Sequence, residues 1–200
     1  MLFTILLFAI PLANSEDIGN TCAGFQANFD LKNVSGTWHL VAIIPETMFP
    51  DKPVICYKVE ISKAIEAPEV TLTKNTESII LRQKYYTGSP YEVWSKSIPG
   101  VKGCFQQMMY SVDVTGNNNN KLVTEESMMQ LHLLEVEDSE PFLMQMFEGK
   151  IISVLIYRRT QGVTQRQLKP AFDLINNIRK PQRLPQICIN NVSYQVFFRK

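Results

Sequence analysis

The 200-residue sequence predicts an all-β fold, a closed antiparallel barrel with one α-helix packed on its outside. Two observations carry that prediction. Short segments of alternating apolar and polar residues follow one another, separated by clusters of Gly, Pro, Asn and Asp, which is the pattern of strands joined by turns. Only one stretch, Thr164 to Ile178, has helical periodicity, and it comes late. Closing such a sheet on itself removes the unpaired edges that would otherwise recruit other chains.

The first element is a leader. Leu2 to Leu12 is almost uninterruptedly apolar, and Ala13-Asn14-Ser15 supplies small residues for cleavage before Glu16. The run is shorter than the roughly 18 apolar residues that span a bilayer, so no transmembrane segment is expected. The expectation is a signal peptide over residues 1–15 and a single secreted, extracellular domain over 16–200.

Residues 16 to 35 form an irregular arm. Strand segments then follow at Gly36 to Ile44, Ile55 to Ser62, Glu69 to Thr73, Ser78 to Tyr86 and Tyr91 to Ile98. Cys104 to Val114 comes next and is ended by Gly116 and four asparagines. Leu131 to Val136 belongs to a run that could begin as early as Lys121. Phe142 to Phe147 and Ile151 to Arg158 flank the turn Glu148-Gly149-Lys150. These pieces number about nine, so either 78–86 and 91–98 are one bent strand or one piece is not a strand. In the helix, Leu168, Phe172, Leu174, Ile175 and Ile178 fall mostly on one face. Pro170 suits a first turn, so regular helix is expected to begin near Lys169. A tail with Cys188 and an extended Val192 to Phe198 closes the chain.

Charge and cysteines exclude several function classes. Lys plus Arg (20) nearly cancels Asp plus Glu (19), so no nucleic-acid partner is expected. Four cysteines in an exported chain point to two disulfides, with three connectivities open. Without a CxxC pair, and with two histidines, neither a metal site nor a cofactor is expected. No GxSxG motif is present, and the expectation is a protein that is not an enzyme. Sequons at Asn33 and Asn191 are candidate glycosylation sites.

Asn28-Phe29-Asp30 followed by Gly36-Thr37-Trp38 resembles the N-terminal signature of the lipocalin family, in its insect bilin-binding and apolipoprotein D-like branch. Arg159, in Val154-Leu155-Ile156-Tyr157-Arg158-Arg159-Thr160, resembles the basic residue that ends the family's last strand. The resemblance implies an eight-stranded up-and-down barrel with its helix outside. It further implies that Gly36 turns the chain into the first strand, that Trp38 plugs the base, and that Arg159 stacks on the indole. The family's Thr-Asp-Tyr turn is replaced by Val136-Glu137-Asp138. The resemblance also implies a bond between Cys56 and Cys188 that ties the tail to the barrel. Cys22 sits at a family position whose usual partner, in the seventh strand, is missing here, which leaves Cys104.

By resemblance the barrel holds a small hydrophobic ligand of bilin, retinoid, sterol or fatty-acid type. Strand alternation groups Phe142, Met144 and Met146 on one face, and Met108 and Tyr110 on another. Met129 precedes the sixth strand. Any one of these methionines suits plain core packing at least equally well, and as a group on three strands they favour a pliable cavity lining. Tyr86 and Trp94, with Tyr85 and Tyr91, are candidates for an aromatic rim. The alternative function is a secreted inhibitor that binds a protein partner through its open-end loops, with Pro45 to Pro53 and 99–103 as the contact segments.

Overall fold

A computed structural model describes Cys22 and residues 26–45, 53–64, 78–88, 90–110, 122–148, 153–179 and 183–190. The leader, the 69–73 segment, the 46–52 part of the Pro-rich loop, the Asn tract and the Val192 to Phe198 tail lie outside these residues. The chain forms α1 (Leu31–Val34), β1 (Gly36–Pro45), β2 (Lys58–Lys63), β3 (Ile80–Tyr86), β4 (Tyr91–Ser97), β5 (Cys104–Tyr110), β6 (Leu122–Leu134), β7 (Phe142–Glu148), β8 (Ser153–Arg158), α2 (Gln165–Arg179) and β9 (Gln186–Ile187). β2 to β8 pair in chain order, β8 pairs with β1, and β1 pairs back to β2, all antiparallel. Eight strands therefore close an up-and-down barrel, with β9 added alongside β1. This is a lipocalin-like architecture.

The segments 78–86 and 91–98 are separate strands, β3 and β4, paired from Ile80↔Lys96 to Tyr85↔Tyr91. The β6 run takes the longer of its two expected extents, from Leu122 to Leu134. The arm contains the short α1, which the sequence reading missed; Asp30 caps it by accepting from the Lys32 N–H at 2.9 Å.

Side-chain alternation divides the core into two layers. Trp38, Leu40, Val59, Ile61, Leu81, Tyr85, Val93, Phe105, Met129, Leu131, Leu133, Leu143 and Tyr157 fill the inward layer. The outer layer joins Val41, Ala42, Ile44, Phe142, Met144, Met146, Val154 and Ile156 to Leu168, Ala171 and Ile175 of α2. A bulge in β1 between Leu40 and Ala42 lets two consecutive residues, Val41 and Ala42, face the helix.

α2 begins at Gln165, earlier than Pro170 suggested. Thr164 and Gln167 form a capping box: the Gln167 N–H donates to Thr164 Oγ1 at 3.3 Å, and the Thr164 N–H donates to Gln167 Oε1 at 2.9 Å. That cap fixes the start, and Pro170 is accommodated inside the helix.

Both disulfides are those the resemblance and the remaining cysteines suggested, Cys56–Cys188 and Cys22–Cys104. The first ties down a strap: Ile189 accepts from the Cys56 N–H at 3.0 Å and donates its N–H to the Val54 carbonyl at 2.8 Å. The second holds the arm against the turn before β5. There Gly103, at φ +75°, leaves no room for a side chain, since a Cβ would lie 2.6 Å from the Leu131 carbonyl oxygen and 2.7 Å from Ala27 Cβ.

Candidate functional site

The base of the barrel is built from the residues the sequence singled out. Trp38 is fully buried and donates its indole N–H to the Val34 carbonyl at 2.7 Å. The Arg159 guanidinium lies 3.7 Å from the centre of the Trp38 ring. It also donates to three carbonyls, Thr37 at 2.9 Å, Asn33 at 2.7 Å and Ser35 at 2.9 Å. Gly36 adopts φ +103°, a conformation that favours glycine, and a Cβ there would press on Arg159 Nη1 at 3.1 Å. Asn33 is exposed on α1, and Asn191 lies outside the described residues.

Above the base, the inward face changes from apolar to hydrogen-bonding. Gln145 of β7 is fully buried and anchors a tyrosine network. Its amide nitrogen donates to the Tyr85 hydroxyl at 2.9 Å and to Met129 Sδ at 2.8 Å, while its oxygen accepts from Tyr157 at 3.1 Å. The Tyr57 and Tyr157 hydroxyls meet at 3.2 Å, and Tyr91 stacks on Tyr85 at 4.6 Å. Burial raises the pKa of all four phenols, that of Tyr91 to about 12, so the network is uncharged.

A second polar set crosses the opposite wall. Ser95 of β4, Gln107 of β5 and Ser127 of β6 are directly in register, and Ser127 donates to Gln107 Oε1 at 3.0 Å. Gln83 of β3 lies diagonally from Ser95. Gln83 and Ser95 are both fully buried, and neither the two amide atoms of Gln83 nor the Ser95 hydroxyl has a hydrogen-bond partner. The sequence reading missed this set; inward glutamines and serines at strand spacing were its available signal.

Several expected lining residues stand elsewhere. Met144 and Met146 belong to the layer beneath α2, so the inward residues of β7 are Leu143, Gln145 and Phe147 instead. A helix covering that wall makes its outer face as apolar as the inner one, and apolarity alone does not tell them apart. Met129 does face inward, and lies within β6. Tyr86 points outward, with its hydroxyl donating to Glu60 at 2.6 Å and the Lys58 ammonium 4.0 Å from its ring centre. It lines an open cleft of about 360 Å³ with Ile55, Cys56, Tyr57, Thr87 and Gly88. Trp94 is also outward, flanked by the Arg82 guanidinium at 6.0 Å, and Arg82 in turn grips Glu92 at 2.6 and 2.8 Å. Met108 and Tyr110 pair in register with Trp94 and Glu92, and their side chains lie outside the described residues.

The interior rim is therefore Tyr57, Tyr85 and Tyr91. The 99–103 turn joins β4 to β5 at the closed end, beside the arm, and is not an open-end loop. His132 faces outward and accepts the Asn28 N–H on Nδ1 at 2.9 Å. Cys56 is bonded to Cys188 and carries no free thiol. No described helix is long and apolar enough to cross a membrane. Comparison of the chain with protein-family models and with curated proteins finds no match.

Proposed function

We propose that this chain is a secreted lipocalin that carries one small hydrophobic molecule inside its barrel. The carrying observation is the closed eight-stranded barrel, sealed at one end by Trp38 under Arg159, with no charged side chain on its inward face among the described residues. Among the described residues, Glu92, Arg158 and every other buried charged side chain stand on the outer face. A barrel of this strand number has an interior wide enough either to be packed by side chains or to hold one small ligand. Two disulfides suit an oxidising, extracellular setting.

The test is titration of the folded protein with environment-sensitive apolar fluorophores, followed by displacement with a bilin, a retinoid, a sterol and a fatty acid. Saturable binding of one fluorophore per chain, abolished by unfolding, is expected. Failure of every apolar probe to bind would overturn the reading.

A further inference from the structure

We propose that the cargo is a neutral molecule whose hydrogen-bonding group, a primary amide or a hydroxyl, seats on Gln83 and Ser95. The inference rests on the carrier reading and narrows it to one chemical class of ligand.

Three buried atoms of this wall are unpartnered. Gln83 Nε2, Gln83 Oε1 and Ser95 Oγ are buried inside the barrel wall without partners. Leaving a buried polar group unpaired is costly, and native proteins rarely do so without reason. The neighbouring polar residues are already engaged: Gln107 with Ser127, and Gln145 with Tyr85, Tyr157 and Met129. Gln83 and Ser95 thus form the unpaired half of a polar belt below the tyrosine rim.

Their chemistry selects the guest. A glutamine side chain offers one donor edge and one acceptor edge, and a serine hydroxyl can do either. A primary amide or a hydroxyl also does both, so it can satisfy Gln83 Nε2 and Oε1 together. A carboxylate only accepts, which leaves Gln83 Oε1 unpaired, and it brings a charge into a wall that holds no described cation. Burying an unpaired charge costs far more than burying a neutral amide. The cations that flank Gln83 on β3, Arg82 and Lys84, are on the outer face and lie 2.6 and 4.0 Å from Glu92.

The experiment is displacement of a bound apolar fluorophore by oleamide, oleate and octadecene, near neutral pH, on the wild type, Gln83→Met and Ser95→Ala. Oleamide is expected to bind more than about tenfold tighter than oleate. Each substitution is expected to weaken oleamide by about five- to tenfold and to leave octadecene unchanged. Because Gln83→Met also removes two unpartnered atoms from the empty barrel, its ligand-free melting temperature is expected to rise by about 2–4 °C. Should that variant not fold, Ser95→Ala deletes a single oxygen and carries the same binding prediction.

Equal affinity for oleamide and oleate, or an amide preference that survives both substitutions, overturns the proposal; ordered water permanently satisfying both groups would give the same result. A Gln83→Met variant that folds and binds octadecene as the wild type does, yet melts below it, overturns it as well, since Gln83 would then be satisfied in the empty protein. If octadecene binds and oleamide has no advantage, this inference falls alone. If neither the fluorophore nor any of the three lipids binds the wild type, the carrier reading falls with it.

Discussion

Arg159 combines a face and an edge in a way lysine cannot. Its plane covers the Trp38 ring while its nitrogens tie three carbonyls of the α1–β1 corner. Arg159→Lys keeps the charge but loses the stack and most of the fork, so unfolding stability is expected to drop by about 1.5–3 kcal/mol in a denaturant titration. His132 makes a different point. Burial lowers its pKa, and its neutral Nδ1 accepts the Asn28 N–H that holds the arm. The native state thus binds fewer protons than the unfolded chain, so the contribution is fully present above the unfolded value of about 6.5 and is lost as pH falls below it. His39 shifts in the same direction, by burial and then by Lys58. His132→Gln is therefore expected to flatten, without abolishing, the fall in denaturation midpoint between about pH 7.5 and pH 5. Trp38, Gly36 and Arg159 were legible from sequence because each is a special residue at a special spacing. The Gln83 and Ser95 pair was not, because a polar residue in a strand ordinarily signals the solvent face.

At the scale of elements, strands were easier to place than the faces they present. Turn residues marked many of the described boundaries, and the start of α2 is set by the Thr164–Gln167 capping box and not by Pro170. Facing failed in β7, where Met144 and Met146 lie under α2 and Leu143 lies inside. Alternation gives two sets but not which is inward when a helix buries the outer one. That placement has a direct consequence. Met144→Ala is expected to cost about 2–4 kcal/mol of stability and to leave fluorophore affinity unchanged. Leu143→Ala is expected to cost a similar amount and to change that affinity as well. Equal effects of the two on binding would contradict the division into layers.

For the whole molecule, closure and cross-linking act together. The β1–β2 pairing completes the cylinder, and Cys56–Cys188 closes a chain segment of 132 residues while strapping the tail across it. Replacing both of these cysteines with serine is expected to lower unfolding stability by about 4–5 kcal/mol, less any strain relieved, read as a shift in denaturation midpoint. Overall architecture was legible because turn spacing, one late helix and the GxW corner all agree on one answer. Cargo was less so, since it depends on which few polar atoms point into the cylinder. The most direct test of the central claim is native mass spectrometry of the protein purified from its own source. A mass excess of one small molecule per chain, released when the protein is denatured, is the result expected. A chain that carries nothing it sheds on denaturation, and that then takes up no apolar probe, would contradict the account.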